Sequence, residues 1–491
     1  MGEVSLSQMS VQKTGPEVSR RPLCVDLDGT LVKSDTLMDS LVVLARSRPL
    51  DLLRLPQWLL RGKAAVKAEV GTRVSLDVSH LPYNRALLEY LETERGEGRR
   101  LYLATGADRA MAQRIADYLG IFDGVLASDG KTNLTAGNKL DGLRQAFGDG
   151  GYDYVGNARP DLPLLQHAGV AMVANPASGM QSQLRSRGVN VERVFEERSA
   201  WPKAVFRAIR LHQWAKNILV FLPLLLAHTL RAPLVAQAFI AFISFSLCAS
   251  ATYIVNDLLD IEADRRHPKK RLRPFAAGDL AVTTGAALSS VLLALAVTLA
   301  AVFLPADFLL WLLVYLVTTL AYSLYLKRVV LADVILLSAL YVLRMLAGAA
   351  ATRVPISPWL GAFSLFLFLS LAMVKRFSEL QNTRARGQTV TNGRGYLLGD
   401  IEQLRSFGTS SAFASVIVFT IYIGGHDVTA LYRHPVWLWL ITPLMALWIM
   451  RVWLLASRGE LDEDPVIFAV TDRISLLMGL AVVAIAALAA F

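Results

Sequence analysis

From about Ile218 onward the chain is a series of long apolar blocks separated by short polar loops, whereas residues 1–200 alternate short apolar runs with charged stretches. A membrane-crossing helix needs roughly 20 apolar residues. On that rule about nine spans can be marked, at 216–231, 233–256, 280–304, 307–326, 329–351, 357–375, 409–424, 435–456 and 473–491, the first and seventh being short. With 491 residues the chain is too long for one ordinary domain. The change in pattern divides it into a lead-in at 1–20, read as disordered, a soluble domain at 21–200 and an all-α transmembrane bundle at 201–491.

Cys24 lies in the soluble part and Cys248 inside an apolar block, so no disulfide framework is expected, and the soluble part suits a reducing cytoplasm. The first 21 residues lack the apolar core of a signal peptide. A net charge of +10 raises the question of nucleic acid, but the cations of the second half sit in loops between apolar blocks, so no nucleic-acid partner is expected. Arg265, Arg266, Lys269, Lys270, Arg271 and Arg273 follow the second span, Lys327 and Arg328 the fourth, and Lys375, Arg376, Arg384, Arg386 and Arg394 the sixth. The intervening loops hold little beyond Arg231, Arg353 and Arg433. This alternation predicts a multi-pass protein of the inner, cytoplasmic membrane, with the N-terminal domain and basic loops inside and Phe491 outside. Anionic substrates are a second reason for such cations.

The second span ends in NDLLDIEADRRHPKKRLRP, which places Asp257, Asp260 and Asp264 at i, i+3 and i+7 with Asn256 at their edge. On one helix this spacing would gather three carboxylates on one face. Such hard oxygen ligands suit Mg²⁺, which commonly bridges to substrate phosphates. A solvated juxtamembrane helix pairing its acids with Arg265, Arg266 and Lys270 would show the same residues. The placement, at the mouth of an apolar span and before a dense basic run, is what a site facing both water and lipid needs.

Asn256-Asp257-x-x-Asp260-x-x-x-Asp264 resembles the first aspartate-rich motif of the UbiA prenyltransferase superfamily, and the resemblance extends over roughly residues 201–491. It implies a helical bundle open to lipid in which the motif holds Mg²⁺ against a diphosphate. The second acidic motif of the aromatic prenyltransferases is missing, because the loop after the sixth span offers Lys375, Arg376 and Glu379 and no acid pair. The strings RLHQWAKN, YSLYLK, VLRMLAG, KRFSEL and DPVIFAVTDR are similar to one branch, the polyprenyl-phosphate (decaprenyl-phosphate) phosphoribosyltransferases. That branch implies 5-phosphoribosyl 1-diphosphate as donor and a polyprenyl phosphate as acceptor. Asp257, Asp260 and Asp264 are then expected to bind metal, with Asn256 as a further ligand. Lys216, Asn217, Arg271, Tyr322, Lys327, Arg344, Lys375 and Arg376 are expected at phosphate and substrate. For Arg271 and Arg376 a plain topological role is the competing reading. Arg344 lies within an apolar run, where a cation usually serves function unless it snorkels to the interface.

In the soluble part an apolar strand runs into Asp26-Leu27-Asp28-Gly29-Thr30. Two acids two residues apart at a strand end can aim at one point, Asp26 attacking phosphorus and Asp28 protonating the leaving oxygen. Further strands are expected at RRLYLATGAD, GVLAS and VAMVAN, interleaved with helical stretches, which predicts a Rossmann-like parallel α/β sheet with its site at the carboxyl ends of the strands. The four stations Asp26/Asp28, Thr105, Lys139 and Asn157/Asp161 resemble the haloacid dehalogenase superfamily over about residues 20–185. The resemblance implies Asp26 as nucleophile, Asp28 as acid and base, Thr105 and Lys139 on the phosphoryl group, Mg²⁺ held by Asp26, Asp28 and Asp161, and a small helical cap at about 35–90. Asn157 stands where that family usually has an aspartate, so an active phosphatase and a degenerate domain both remain open.

Together these features point to a Mg²⁺-dependent membrane transferase that moves phosphoribosyl to a polyprenyl phosphate, with a cytoplasmic phosphatase domain acting on the product. A prenyl diphosphate donor with an aromatic acceptor is the alternative, and a transporter or scaffold with an inert soluble domain is the non-enzymatic one.

Overall fold

In the computed structural model of the chain, residues 20–129, 133–385, 387, 395–461 and 465–490 are described, so the expected disordered lead-in at 1–19, together with Arg386 and Arg394, falls outside them. The chain divides into two compact units. One comprises the N-terminal residues to Trp201 together with Ile261–Val282, and the other comprises Pro202–Asp260 and Thr283 onward.

The N-terminal unit is built on six parallel strands, β1 (Leu23–Val25), β2 (Leu101–Asp108), β3 (Gly124–Ser128), β4 (Asp153–Gly156), β5 (Ala171–Ala174) and β6 (Val191–Phe195), in the order β3-β2-β1-β4-β5-β6. β1 is buried on both faces. Leu23 and Val25 join the apolar cluster that includes Leu101, Leu103 and Leu87, whereas Cys24 joins Tyr154, Val173 and Leu143 on the other side. A parallel sheet covered by helices on both faces has this near-continuous apolar pattern. The strand order reverses between β1 and β4, and ligands of open α/β sheets bind at such a switch point, beyond the carboxyl ends of the strands. Between β1 and β2 the chain is helical, at Thr36–Ser47, Leu55–Leu60, Lys63–Arg73 and Arg85–Gly96. β4 and β6 are additional to the strands expected from sequence.

The segment Ile261–Val282 connects two long apolar helices in sequence yet packs as part of the N-terminal unit. Arg265, 6 % exposed, places Nη2 2.8 Å from Oδ2 of the fully buried Asp39 and 3.0 Å from Ser34 Oγ. Gly278 has φ +73° and lies so close to Lys33 that a Cβ would come within 2.7 Å of the Lys33 Cβ. Asp279 accepts the Ser199 backbone N–H.

In the second unit, among the described residues, eight helices are long and apolar enough to cross a membrane. They run Ala232–Leu259, Val282–Phe303, Ala306–Leu324, Ala332–Thr352, Pro358–Ala385, Leu398–Ile423, Pro435–Ser457 and Arg473–Ala490. The last is mostly exposed, with Leu477, Leu480, Val483 and Leu488 on its surface, as lipid-facing positions require. The segment expected as the first of nine α-helical spans differs. Leu211–Phe221 is an 11-residue 3₁₀ helix followed by the five-residue α-helix Leu222–Leu226. At about 2.0 and 1.5 Å per residue the two rise roughly 30 Å, of which the apolar part, from Ile218 on, makes up only about half, so this segment is not among the eight helices long and apolar enough to span. The segment runs antiparallel to Ala232–Leu259, with Trp214 Nε1 donating to Ser250 Oγ, Asn217 Nδ2 to Ser246 Oγ, and Phe221 packing on Phe242. Gly348 lets it approach the Ala332–Thr352 helix, since a Cβ there would lie 2.0 Å from the Val220 carbonyl oxygen.

Removing one partner of a buried ion pair costs about 3–5 kcal/mol because the other is left charged and unpaired. Arg265→Met is therefore expected to lower the unfolding midpoint of the full chain in detergent, and the double variant Arg265→Met/Asp39→Leu is expected to recover much of the loss. An unchanged midpoint in the single variant would refute this role for the pair.

Candidate functional site

The N-terminal unit gathers its chemistry at the carboxyl ends of β1 and β4. Asp26 follows β1 directly, and its backbone N–H donates to the Val155 carbonyl of β4. Lys139, on the helix Gly137–Phe147, places Nζ 2.7 Å from Asp26 Oδ1, 3.0 Å from Tyr154 Oη and 3.5 Å from Asp161 Oδ1. Tyr154 Oη donates to the same Asp161 oxygen at 3.0 Å, while Asp161 Oδ2 accepts the backbone N–H groups of Asn157 and Ala158. Asp28 Oδ1 accepts the Thr36 N–H at 2.8 Å. Thr30 Oγ1 reaches Asp26 Oδ2 at 3.4 Å, and Thr105, fully buried in β2, accepts the Ala107 N–H. Directly after Asp28, Gly29 takes φ +80°, and a Cβ there would sit 2.1 Å from Asn157 Nδ2. Thus Asp26, Lys139 and Asp161 are joined by hydrogen bonds, and Asn157 packs against the Asp26–Thr30 turn. Tyr154, on β4, was not singled out from sequence.

Burial raises the Asp26 carboxyl to about 6 against the opposing pull of Lys139. Burial also raises Asp28 to about 7, helped by Asp35 and opposed by the Thr36 N–H. Burial pulls Lys139 down, but Asp26 and Asp161 outweigh it and hold the ammonium above its ordinary value. Burial thus raises both carboxyls, and only Asp26 is hydrogen-bonded to the Lys139 ammonium, which favours Asp26 as the ionised nucleophile beside a proton donor.

In the second unit the acidic motif is arranged differently from the expected single face. The helix ends at Leu259, and Asp260 is its C-cap with φ −97° and ψ 9°. Asp264 therefore falls on a separate helix, Ile261–Arg266, in the other unit, where it pairs with Arg273 at 2.7 Å. Asp257 and Asp260 remain three residues apart at the helix end. Arg210 donates to Asp257 at 2.5 and 2.7 Å, and Lys327 donates to Asp260 at 2.7 Å and to Asn256 Oδ1 at 3.4 Å. Arg210 itself was not picked out from sequence, although it opens the RLHQWAKN string.

Among the described residues no three His, Cys, Asp or Glu side chains gather closely enough to hold a metal ion alone. In the first unit Lys139 stands between Asp26 and Asp161. The donor sets nevertheless fit Mg²⁺ shared with a phosphate, which asks for one or two carboxylates rather than a cage. Asp257 and Asp260 with Asn256 provide this in the second unit, and Asp26 and Asp28 in the first.

Deeper in the bundle, Arg344 is 4 % exposed, donates to Asn217 Oδ1 at 2.8 Å, to the Leu340 carbonyl and to Tyr315 Oη at 3.3 Å, and packs over Phe245, Tyr315 and Tyr341. Among the described residues no carboxylate pairs with it. Lys216 Nζ lies 6.0 Å from the Tyr341 ring centroid, on the same aromatic group. Arg376, by contrast, is engaged by Asp333 and Glu379, each at 2.5 Å, with Tyr322 Oη accepting at 3.3 Å and Tyr396 donating to Asp333. This is a buried ion-pair network joining three helical segments. Lys375 precedes it, partly exposed, and Arg271 is exposed on the turn Lys270–Leu272 of the other unit.

Residues 217–490 match the UbiA prenyltransferase family. The chain is 39 % identical to y4nM, an uncharacterized protein of Sinorhizobium fredii, over 93 % of this chain and 89 % of that protein, so the match takes in both units. It is 33 % identical to the decaprenyl-phosphate phosphoribosyltransferase of Mycobacterium tuberculosis, over 57 % of this chain and 92 % of that enzyme. Among solved structures, a haloacid dehalogenase family hydrolase of Salmonella enterica is 16 % identical over 35 % of this chain and 67 % of that one, with a TM-score of 0.25.

Since Asp26 and Asp28 have folded-state pKa values above the ordinary carboxylate range, the folded chain binds more protons than the unfolded chain between about pH 4 and about pH 7. Their contribution to stability is present below that window and is lost as pH rises through it. In metal-free buffer, Asp28→Asn is expected to gain melting temperature over the wild type as pH rises from 4 to about 7. A gap independent of pH would contradict the raised Asp28 value.

Proposed function

The chain belongs to the UbiA prenyltransferase family, and from that premise we propose that it transfers a phosphoribosyl group from 5-phosphoribosyl 1-diphosphate to a polyprenyl phosphate, and that its N-terminal unit, read as a haloacid dehalogenase-like phosphatase, then removes the 5-phosphate. The observation that carries this reading is Arg344, a cation buried in the bundle with only neutral oxygens as partners. A buried guanidinium of this kind calls for an anion. The acidic helix end can take one Mg²⁺-diphosphate, and Arg344 beside Lys216 and Asn217 supplies a second, separate place for phosphate. A substrate pair with several phosphates uses both. The 33 % identity to the mycobacterial decaprenyl-phosphate phosphoribosyltransferase supports the same choice.

Mg²⁺ bound by Asp257, Asp260 and Asn256 would neutralise the diphosphate leaving group. Lys327 and Arg210, now resting on those carboxylates, are within reach to pair with the departing phosphates. The lipid phosphate attacks the anomeric carbon as diphosphate departs, and needs no general base because it is already ionised. In the N-terminal unit Asp26 attacks the 5-phosphate, Asp28 protonates the ribose oxygen as it leaves, and Lys139 with Thr105 holds the phosphoryl oxygens. Water then releases phosphate from Asp26 with Asp28 as base. The proposed setting is the inner membrane, with the N-terminal unit and basic loops in the cytoplasm. With the Leu211–Leu226 segment taken as a ninth crossing beside the eight helices, the C-terminus would lie outside.

Membranes supplied with ribose-labelled donor and polyprenyl phosphate are expected to form labelled lipid, and Asp260→Asn should lower its formation by at least about 100-fold. Asp26→Asn should accumulate lipid still bearing the 5-phosphate. Identical phosphorylated lipid from the wild type and Asp26→Asn would refute the second step. Turnover with a prenyl diphosphate and an aromatic acceptor, without the ribosyl donor, would replace the first. Arg344→Met should raise the lipid-phosphate KM by roughly 10-fold or more, the loss of one charge-assisted contact.

A further inference from the structure

One cation near the phosphatase-like centre has no role in the steps above. Lys67 lies on the helix Lys63–Arg73, between β1 and β2, and its Nζ donates to the Gly106 carbonyl at 2.5 Å and to Asn133 Oδ1 at 2.9 Å. Gly106 directly follows Thr105, and its carbonyl also accepts from Ser128 Oγ at 2.8 Å. The helix is seated closely over this strand end, since a Cβ on Gly71 would meet Asp108 Oδ2 at 3.3 Å. Both partners of Lys67 are neutral oxygens. Among the described residues no carboxylate lies in ion-pair range of it, although its positive charge is half buried. An ammonium has three N–H donors, and only two are used.

Its bond to the Gly106 carbonyl, one residue past Thr105, places it at the strand end that carries the reaction centre. Burial holds Lys67 below its ordinary lysine value, with Asp28 and Asp35 opposing and Lys139 and Lys63 adding to the depression. Lys139 already serves the phosphoryl group at Asp26, bound on both sides by carboxylates. A second cation, on a different element, with an open donor and no carboxylate, has no use for a substrate that carries one phosphate alone.

We propose that Lys67 is a specificity-determining residue that pairs with a second anionic group of the substrate, so that this unit hydrolyses a sugar carrying two phosphate groups. One is the terminal monoester delivered to Asp26. The other stays ester-linked to the sugar and meets Lys67. The inference rests on the reading of Asp26 as the attacking carboxylate. The same chemistry is offered by a lipid-linked phosphoribosyl 5-phosphate, whose second phosphate is a diester, and by a soluble sugar bisphosphate.

The test uses the full chain in detergent with Mg²⁺, as wild type, Lys67→Met and Lys67→Arg. Phosphate release is followed from ribose 5-phosphate, ribose 1,5-bisphosphate and a prenyl-phosphoryl-ribose 5-phosphate. Lys67→Met is expected to lower kcat/KM for a substrate with a second phosphate by roughly 10–100-fold, mostly through KM, the effect of one charge-assisted hydrogen bond. The fall for ribose 5-phosphate should be several-fold smaller, and Lys67→Arg should restore part of the loss. Dependence on Lys67 for the prenyl compound alone assigns the second phosphate to the lipid; dependence for both includes the soluble class. Equal falls for all three substrates, or none, would overturn the inference while leaving the phosphatase reading intact. Should no substrate release phosphate, calorimetric binding in an Asp26→Asn background decides. Tighter binding of the two-phosphate compounds that is lost in Lys67→Met sustains the role of Lys67 and removes the phosphatase reading, whereas equal affinities overturn the role as well.

Discussion

Hydrocarbon gives neither backbone nor charge a partner, and the second unit is shaped by that constraint. Backbone groups must pair within their own segment, so the apolar series folds as helices, and stretches that are not α-helical, such as Leu211–Phe221 and Pro435–Leu440, still close their own bonds as 3₁₀ runs. Charges must pair as well. Arg376 does so with Asp333 and Glu379, a network that ties together the starts and ends of neighbouring helices. Arg344 finds only an amide, a carbonyl and a phenol. The contrast separates a cation whose charge is met by the protein from one whose charge is left for a ligand, a distinction that burial alone does not make.

The N-terminal unit applies the same physics to acids. Asp26 and Asp161 are buried at the switch point of the sheet, where two bare carboxylates would repel and stay protonated. Lys139 resolves this by standing between them, and Tyr154 and two backbone N–H groups satisfy what remains of Asp161. Asp28 lacks that bond to Lys139, and burial raises its carboxyl too. The difference between two neighbouring acids comes from their partners, since their residue type is the same. The turn that holds them depends on Gly29, whose positive φ and missing Cβ leave room for Asn157.

Much of this was legible in the residues. The apolar blocks located eight helices to within a few residues at most ends, and the alternation of strands and helices gave the parallel sheet, because both signals are local and repeat along the chain. The acids at the end of β1 and the asparagine–aspartate run after the second span stood out for the same reason. What was not legible depended on a partner distant in sequence. Arg210 meets Asp257, Lys67 meets Gly106, and Tyr154 bridges Lys139 to Asp161, and no short-range spacing marks any of them. The helix break at Asp260 was hidden because a spacing of i, i+3 and i+7 assumes a helix that continues. The 3₁₀ form of Leu211–Phe221 was hidden because an apolar pattern marks a segment, and rise per residue is a property of backbone conformation.

By itself the sequence determined which part of the chain is helical in lipid and which is an α/β sheet, and which acids and cations stand in short-range motifs, because hydropathy and spacing are written residue by residue. Only the tertiary structure decided which cations those acids neutralise, which cation keeps an unmet charge, and that Ile261–Val282 folds with the N-terminal unit through Arg265 and Asp39. Pairing energy depends on distance and burial, and both are set by contacts between segments that the order of residues does not bring together.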